Sequence, residues 1–595
     1  MCGIVGIINT AGTPDSGVKQ IHAMNESQNH RGPDGSGIWI SACKHIHLGH
    51  KRLSIIDLSD AASQPMMSHD EKYVLVFNGE IYNYKELRAD CIKLGCQFST
   101  QSDSEVIIEC YRLWGESSFT RLRGMWAFLL YDVDQQKVVV SRDPFAIKPL
   151  YYSFFNGHFY FASELKALTG LSGYFKEEDL VTTALFLDYG YLERDDWTFY
   201  KHIKRFPHAH YAVLELNKKQ THLSFTRFWQ PNSSINHSLS FEHAATKLKE
   251  LLYDSMKLHL RSDVPVGACL SGGLDSSAIV CMGSRLLNDK SFTTFTTHYP
   301  SHPAIDETKW ANTVIQHTNA KAYFTEPTPH LFKQSLDDLI HTQDEPFGSM
   351  SIFAQYCVFK KISETPIKVV LDGQGADEML AGYVGFIPTY FDELAKKGKF
   401  ISLTKELLAF KDMNIQFDAK RKLISMIKRG FSRRTVLNHP TPAHKGELEF
   451  RLNKLLLHFD HFEDRLENLL CDSNIPQLLR YEDRNSMRFS IESRVPFLNT
   501  ELVDFVLSLP VNFRIRHGYT KAVLREALKG LIPETIRTRT DKLGFPAPEI
   551  QWLQDCYGIT ADQACSRQWR EFIHTRWREL KQAKSKDARS YEFNY

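Results

Sequence analysis

The sequence predicts two folded units in one chain, a layered α+β unit followed by an α/β unit with a parallel sheet and a helical C-terminal part. In the first 230 residues, short apolar runs alternate with Gly, Asn and Asp turns, a pattern typical of stacked sheets. Beyond residue 241, apolar strands alternate with helical periodicity, which is typical of a parallel sheet. From about residue 385 onward, the apolar residues recur mostly at helical spacing.

Composition narrows the class of protein. The chain has 595 residues, 43% of them hydrophobic and 24% charged, which suits a soluble protein of several domains. Its 72 Lys and Arg against 70 Asp and Glu give a net charge of +2, so no strong field favours nucleic acid or a membrane as partner. The 11 cysteines form no CxxC pair, which argues against zinc and disulfides. Without a signal-like or membrane-spanning segment, we expect a cytoplasmic enzyme with a small substrate.

The first unit is predicted to contain at least six strands and one helix. The strands cover residues 4–8, 37–40, 73–77, 126–131, 138–140 and 158–162, and the helix covers residues 104–114. Residues 230–238 are polar and rich in turn formers, which makes them the best candidate linker. We therefore predict one domain at residues 1–230 and a second at residues 241–595.

The second unit opens with apolar residues at helical spacing between residues 241 and 256. Strands are then predicted at residues 264–270, 291–299 and 367–371. The segment 396–445 is rich in Lys and Arg, and we interpret it as a solvated helical face rather than an anion-binding patch. For the helical stretch 395–470 we recognise no chemistry and predict a role in packing.

Cys2 follows the initiator methionine directly in the opening MCGIVG. Removal of that methionine would make the thiol residue the N-terminus, and its free α-amine could then serve as the base that takes the thiol proton. The alternative is a buried cysteine at the start of an apolar strand.

Four further clusters accompany Cys2 in the first unit: RGPD at 31–34, RLSI at 52–55, NGEIYN at 78–83 and SDSE at 102–105. A thiolate that attacks an amide needs donors aimed at the developing oxyanion, which the side chain of Asn78 and the backbone of Gly79 can provide. A free amino acid as substrate needs a cation and an anion, which Arg52 and Asp103 can supply. Taken singly, each of these is a turn or surface group.

Together these clusters resemble the class II glutamine amidotransferase domain, an N-terminal-nucleophile hydrolase with a layered αββα sandwich. The similarity extends through residues 142–151 (RDPFAIKPLY) and 163–168 (SELKAL), although the family usually has Arg and Gly where this chain has Pro144 and Ala146. The resemblance implies that Cys2 hydrolyses glutamine to glutamate and ammonia, with Asn78 and Gly79 as the oxyanion hole. It implies this glutamine-binding set: Arg52, Leu53, Ser54, Ile55, Ile56, Asn78, Gly79, Glu80 and Asp103.

A second motif, SGGLDSS at residues 271–277, follows the predicted strand 264–270 and opens a helix. Small residues at this position let backbone N–H groups cradle phosphate oxygens. Because the motif lacks the Gly-Lys-Ser/Thr ending of the kinase-type loop, pyrophosphate is the better ligand. A second acidic loop follows strand 367–371, and Asp275 and Asp377 at neighbouring strand ends could hold Mg²⁺ against the phosphates.

This half resembles the PP-loop ATP pyrophosphatase fold, and the whole chain resembles glutamine-hydrolysing asparagine synthetase. Supporting stretches include DE at 306–307, DEPF at 344–347, LRYEDRNSM at 479–487, ESRVPFL at 492–498, and TK and LR at 520–521 and 524–525. The resemblance implies that ATP adenylates the β-carboxylate of aspartate and that ammonia then attacks the acyl-adenylate. It implies these ATP-binding residues: Leu270, Ser271, Gly272, Gly273, Asp275, Ser276, Thr297, Asp372 and Gly373. It also implies that Lys542 stabilises the adenylation transition state; the alternative is a surface lysine in a polar turn.

One loop departs from the family where the intermediate forms. Asparagine synthetases usually read SGEG followed by Ser or Ala and DE, whereas this chain reads DGQGADE at 372–378, so Gln374 replaces the family glutamate. Glutamine cannot accept a proton at neutral pH, although it can hydrogen-bond a nucleophile or orient a substrate. The acceptor is therefore aspartate or another carboxylate, such as a cell-wall or polysaccharide precursor, and a non-catalytic nucleotide-binding regulator is the third alternative.

Two expectations concern the whole enzyme. Ammonia released to water would be protonated and diluted, so we expect a largely apolar passage between the sites. A homodimer is compatible with the sequence, which does not fix the oligomeric state.

Overall fold

The computed structural model describes residues 2–10, 17–190, 193–287, 292–412, 445–455, 461–541, 544, 547–558 and 565–591. Within these ranges, no helix combines the length and the apolar character needed to cross a membrane.

The first unit contains two six-stranded sheets with antiparallel pairing. One has the order β10-β8-β9-β1-β3-β2 and the other the order β12-β11-β7-β6-β5-β4. The strands are β1 Gly3–Asn9, β2 Gly35–Ile40, β3 Ile46–Arg52, β4 Met66–Met67, β5 Tyr73–Ile81, β6 Gly124–Asp132, β7 Lys137–Arg142, β8 Tyr151–Phe155, β9 His158–Ala162, β10 Lys204–Arg205, β11 His210–Glu215 and β12 Phe225–Arg227.

The two sheets pack face to face. Their shared core includes Ile4 and Leu48 from one sheet and Val76 and Leu129 from the other, all with no exposed surface. Helix Gly17–Glu26 covers the outer face of the first sheet, and helix Asp103–Trp114 covers that of the second. The layered αββα arrangement that the sequence predicts is therefore confirmed. The other helices of this unit are Tyr84–Lys93, Leu165–Thr169 and Leu180–Tyr189.

The second unit is built on a parallel sheet with the order β15-β14-β13-β16-β17. Its strands are β13 Val266–Cys269, β14 Thr293–Thr297, β15 Lys321–Thr325, β16 Val369–Leu371 and β17 Glu492–Arg494. Strand β17 lies in the part of the sequence that reads as mostly helical, and it adds an edge strand beside β16.

Helices pack around this sheet and form the C-terminal part. They are Phe241–His259, Leu274–Leu287, Thr308–Thr318, Pro329–Gln343, Ser351–Ser363, Ala376–Met379, Phe386–Lys396, Phe400–Asp412, Lys445–Leu455, Phe462–Glu467, Asn474–Arg488, Thr500–Leu507, Val511–Arg514, Ala522–Ala527, Glu534–Arg537, Glu549–Tyr557 and Cys565–Tyr591.

The two units share buried apolar surface. One core cluster joins Val5 and Ile7 of β1 to Leu339, Phe353 and Trp569 of the second unit.

Part of the segment 395–470 lies outside the described residues, namely 413–444 and 456–460. Helix Lys445–Leu455 contacts the first unit through Arg451, which donates to Thr182 Oγ1 at 2.8 Å and to Asp179 Oδ2 at 3.0 Å. Packing against the first unit is therefore one role of this segment.

Candidate functional site: two cavities, one in each unit

Cys2 lies directly before the central strand of the first sheet, where β1 pairs with β3 and β9 on either side. Its side chain is almost fully buried, and Sγ lies 4.0 Å from the carbonyl oxygen of Leu53. Burial raises the pKa of the thiol, because a thiolate loses its hydration there. Ionisation of Cys2 therefore needs a base at short range.

Asn78 sits opposite Cys2 on β5 and is fully buried. Its Oδ1 accepts a hydrogen bond from the backbone nitrogen of Cys2 at 2.9 Å. Its Nδ2 finds no hydrogen-bond partner among the described residues. A buried amide donor without a partner costs free energy unless something else accepts its hydrogen bond, so a ligand oxygen is the fitting acceptor.

Gly79 follows on the same strand and lies in register with Trp126 of β6. A Cβ atom at this position would lie 2.1 Å from the carbonyl oxygen of Met125, so only glycine lets the two strands approach this closely. Asn78 and Gly79 thus stand side by side next to Cys2, an arrangement compatible with the predicted oxyanion hole.

A small cavity of about 30 Å³ opens beside Cys2. Its interior has room for a water molecule. The cavity is lined by Cys2, Arg52, Leu53, Ile55, Ile56, Ala62, Gln64, Phe77, Gly79, Glu80, Ser102, Asp103, Ser104 and Glu492. Among the residues expected to bind glutamine, Ser54 and Asn78 are not part of this lining. The backbone nitrogen of Ser54 donates to Asp34 Oδ2 at 2.9 Å.

Arg52 and Asp103 bring groups of opposite charge to the cavity wall. Arg52 donates to the carbonyl oxygens of Ser59, at 2.8 Å, and of Asp57, and so holds the following loop. Asp103 begins helix Asp103–Trp114 and accepts from the backbone nitrogen of Ile81 at 2.8 Å. Burial raises the pKa of Asp103 to about 6.

The second unit contributes to the wall of this cavity, which the sequence did not predict. Glu492 lines the cavity, and Arg494 donates to Glu492 Oε1 at 2.6 Å and to Glu80 Oε2 at 3.1 Å. The backbone carbonyl of Arg494 also accepts from the nitrogen of Asp372, in the other active site, at 2.9 Å. The stretch ESRVPFL carries these residues, but no spacing in the sequence indicates a contact across more than 400 positions.

Arg31 forms a second link between the units and is fully buried. Its Nε donates to the carbonyl oxygen of Cys2 at 2.9 Å. Its Nη1 donates to Glu164 Oε1 at 2.7 Å and to Asp483 Oδ2 of the second unit at 2.8 Å. The sequence singled out the RGPD cluster but assigned Arg31 no role.

The second cavity lies at the carboxyl ends of β13 and β16 and has a volume of about 520 Å³, within the range of small-molecule sites. The SGGLDSS loop connects β13 to helix Leu274–Leu287. Expected ATP-site residues on its wall are Leu270, Ser271, Gly273, Asp275, Ser276, Thr297, Asp372 and Gly373, and Gln374 and Asp377 line it too. Gly272 shapes the loop instead: its φ is +73°, and a Cβ there would lie 2.5 Å from Trp310 Cβ.

Asp275 and Asp377 converge on one cation, Lys521. The ammonium nitrogen lies 2.6 Å from Asp275 Oδ2 and 2.6 Å from Asp377 Oδ1. Lys521 belongs to the TK pair at 520–521, which resembles the family. Its position between the two carboxylates was not predicted from the sequence. Lys542 lies outside the described residues.

The fit of this site to Mg²⁺ rests on oxygen donors. Two carboxylates point at the same place, as an ion shared with phosphate oxygens requires. Within the described ranges there is no group of three or more His, Cys, Asp or Glu side chains that could hold a metal alone. The residues therefore fit an ion that arrives with nucleotide phosphates.

The sequence matches known families over nearly its whole length. Residues 1–229 match the family described as a glutamine amidotransferase domain, and residues 247–591 match the family described as asparagine synthase.

Three curated relatives show the range of similarity. Glutamine-hydrolysing asparagine synthetase 1 of Bacillus subtilis (strain 168) is 30% identical, with 93% of this chain and 88% of the relative covered. Glutamine-hydrolysing asparagine synthetase 3 of the same organism is 26% identical, with 91% and 86% covered. Amidase chry2 of Gibberella zeae is also 26% identical, with 93% and 90% covered. A chain that joins both matched regions, and that aligns with a synthetase over 93% of its length, belongs to the glutamine-hydrolysing asparagine synthetase family.

Proposed function

We propose that this amide ligase converts L-aspartate, L-glutamine, ATP and water to L-asparagine, L-glutamate, AMP and diphosphate, through β-aspartyl-AMP. One observation carries the proposal: the same chain holds a buried cysteine beside the unpartnered donor of Asn78 and a 520 Å³ cavity lined by the SGGLDSS loop. We also propose that the enzyme is cytoplasmic and that it forms a homodimer. Light scattering can test the oligomeric state.

In the first half-reaction, the Cys2 thiolate attacks the side-chain amide of glutamine. Arg52 and Asp103 would bind the carboxylate and ammonium of the amino acid. The oxyanion would accept hydrogen bonds from Asn78 Nδ2 and the backbone nitrogen of Gly79. With Met1 removed, the α-amine of Cys2 would take the thiol proton, which supplies the base that burial makes necessary.

In the second half-reaction, the carboxylate of the acceptor attacks the α-phosphorus of ATP. Asp275 and Asp377 would hold Mg²⁺ together with phosphate oxygens, and the bound ion supplies positive charge against the leaving pyrophosphate. Lys521 contacts both carboxylates and would supply positive charge beside the phosphates. We propose the same kind of support from Lys542.

Ammonia must then travel from Cys2 to the second cavity. The proposed passage is largely apolar and runs through the shared interior between the units. Exclusion of bulk water keeps ammonia unprotonated and nucleophilic there.

Another carboxylate acceptor is the second candidate. Gln374 in place of the family glutamate favours it, and so does the similarity to a relative named as an amidase.

Pyrophosphate release decides between these candidates. The enzyme would be incubated with ATP, glutamine and a panel of carboxylates that includes aspartate, glutamate and larger uronic acids. Release with aspartate alone supports asparagine synthesis, whereas release only with another acid selects the second candidate. Release with none would contradict both and would point to a nucleotide-binding regulator.

Cys2→Ala tests the separation of the two sites. We expect glutamine-dependent amide formation to fall below detection, because the nucleophile is gone, while synthesis from excess ammonium chloride stays within about twofold of wild type. Loss of both activities in a variant with an unchanged melting temperature would contradict two separate sites.

A further inference from the structure

One wall of the small cavity beside Cys2 contacts the second unit. This wall is the loop of residues 53–59, which brings three apolar side chains to the cavity: Leu53, Ile55 and Ile56. The second unit approaches the same loop with the turn of residues 260–265, which connects helix Phe241–His259 to β13. Because β13 runs into the SGGLDSS loop, the turn is the start of the strand that ends at the nucleotide cavity.

Asp263, in this turn, makes two hydrogen bonds to the loop. Its carboxylate Oδ2 accepts from the backbone nitrogen of Asp57 at 2.8 Å. Its backbone nitrogen donates to the carbonyl oxygen of Ile55 at 3.0 Å. A carboxylate is a stronger hydrogen-bond acceptor than a neutral oxygen, so the side chain of Asp263 contributes to holding the loop as well as its backbone.

Asp57 connects this contact to another part of the small cavity. Its carboxylate Oδ1 accepts from the backbone nitrogen of Ser59 at 3.1 Å, within the loop. Its Oδ2 accepts from the backbone nitrogen of Gln101 at 2.7 Å. The next three residues, 102–104, line the cavity, and they include Asp103, which we expect to bind the ammonium of glutamine. Asp57 therefore ties the loop to a second segment of the cavity wall.

The backbone of Asp57 has a conformation that its surroundings must maintain. Its φ is +54°, in the left-handed region that residues with a side chain rarely adopt. Aspartate tolerates this region better than most residues do, and such conformations persist in proteins where neighbouring groups hold them. Asp263 binds the backbone nitrogen of this same residue. Loss of the acceptor would therefore loosen both the loop and its link to Gln101.

We propose that Asp263 is a positioning residue of the glutaminase reaction: by holding Asp57, it fixes the loop of residues 53–59 against the segment of residues 101–104 in the arrangement that binds glutamine. The proposal rests on the proposed function. Asp263 does not itself line the small cavity, so it acts through the loop and not on the substrate. The second unit thereby takes part in glutamine binding as well as in amide formation.

Asp263→Ala removes the side-chain acceptor and keeps the backbone donor. We expect the KM for glutamine to rise about tenfold, because the loop is no longer held on both sides. The kcat for glutamate release should stay within about threefold, because Cys2, Asn78 and Gly79 keep their places. Amide formation from ammonium chloride does not use the small cavity and should stay within about twofold of wild type. An unchanged KM for glutamine overturns the proposal.

Asp263→Asn is the conservative variant. Its side-chain oxygen can still accept from the backbone nitrogen of Asp57, so the KM for glutamine should stay within about threefold of wild type. A rise as large as that in Asp263→Ala would show that the hydrogen bond to Asp57 is not what matters, and it would overturn the proposal.

Asp504→Ala is the matched control. Asp504 is also a carboxylate of the second unit that accepts from a backbone nitrogen far away in the sequence, that of Asn232 at 3.0 Å. Asn232 belongs to the predicted linker and not to the wall of the small cavity. The KM for glutamine should stay within about twofold of wild type. The same rise as in Asp263→Ala would mean that any lost contact of this kind disturbs the cavity, and it would overturn the proposal.

Asp57→Asn tests the route from Asp263 to the cavity. Asparagine tolerates the left-handed backbone, but one end of its side chain is a donor, so it cannot accept from both Ser59 and Gln101. We expect this variant to raise the KM for glutamine, and the addition of Asp263→Ala to raise it by no more than about threefold further. Effects that multiply in full would show that Asp263 does not act through Asp57.

Hydrogen exchange gives a readout that needs no substrate. In the full-length enzyme, peptides that cover residues 53–59 and 99–104 should exchange their amide hydrogens at least about fivefold faster in Asp263→Ala than in wild type, with no change in Asp504→Ala. Unchanged exchange in both segments of Asp263→Ala overturns the proposal. A wild-type enzyme that hydrolyses no glutamine would overturn the proposed function instead, and the exchange rates would still decide whether Asp263 holds the loop.

Discussion

Asn78 serves two purposes with one side chain. Its oxygen holds the nitrogen of Cys2, and this contact turns its unpartnered NH₂ toward the place where an oxyanion would develop. In the proposed reaction, the residue would thus link the position of Cys2 to the stabilisation of the tetrahedral intermediate.

Asn78→Asp separates these two purposes, because aspartate keeps an acceptor for Cys2 and loses the donor. We expect the glutaminase kcat to fall about 10²- to 10³-fold, the usual effect of losing one oxyanion donor. The measurement is glutamate release at saturating glutamine, with ammonia-dependent synthesis as the internal control. Glutaminase turnover at the wild-type rate would show that the donor lies elsewhere.

The titration of Asp103 predicts how glutamine binding depends on pH. Its carboxyl has a pKa raised to about 6, so it is charged above that pH and neutral below it. Only the charged form attracts the ammonium of glutamine. The KM for glutamine should therefore be constant above about pH 7 and rise as pH falls through 6, by up to about tenfold per unit. Asp103→Asn should show a raised KM without this rise, and an unchanged rise in that variant would exclude Asp103 as its source.

At the scale of elements, the strand-to-helix turn of SGGLDSS depends on a left-handed glycine. Gly272→Ala would place a methyl group against Trp310 in a backbone conformation that alanine rarely adopts. We expect the KM for ATP to rise at least about tenfold because the phosphate-binding backbone N–H groups are displaced. The KM for ATP is measured in the ATP–pyrophosphate exchange reaction.

Gly446→Ala is the control for this change. Gly446 lies in helix Lys445–Leu455, and a Cβ there meets nothing within 4 Å. It should leave exchange unchanged and, if anything, stabilise the helix. Equal effects of both substitutions would mean that Gly272 has no special role.

Elements with strong local patterns were predictable from sequence, and those fixed by distant contacts were not. The apolar run on β6 and the helix that begins near residue 103 were both predicted and are present. Strand β17 has only three residues, and it is a strand because Val369 and its neighbours on β16 offer a free edge. In the same way, the local sequence was enough to predict the chemical roles of Cys2, Asn78 and the SGGLDSS loop. Lys521, by contrast, acquires its role from carboxylates more than 100 positions away.

For the whole molecule, one group of charged contacts between the units lies in the interior. Asp483 belongs to the second unit, and its two oxygens accept from Arg31 at 2.8 and 3.1 Å. Asp483→Asn would leave a fully buried guanidinium with Glu164 as its remaining carboxylate partner. We expect a loss of about 3 kcal/mol of stability and a lower glutaminase kcat, since Arg31 also holds Cys2. Urea unfolding and glutamate release measure the two effects.

The exposed pair Lys72–Asp134 provides the control, with side chains 49% and 59% exposed. The same substitution there, Asp134→Asn, should change stability by no more than about 0.5 kcal/mol. Similar losses in both variants would contradict a special role for the buried network.

Glu492 and Arg494, which complete the glutamine cavity, have a consequence for protein synthesis. Cys2 leaves the ribosome among the first residues, and this wall follows 490 residues later, on the order of 25 to 100 s at ordinary elongation rates. Throughout that interval the nascent chain carries a thiol without a finished pocket. On the proposed function, we therefore expect glutamine hydrolysis to begin only once the part of the enzyme that uses the ammonia has also been made.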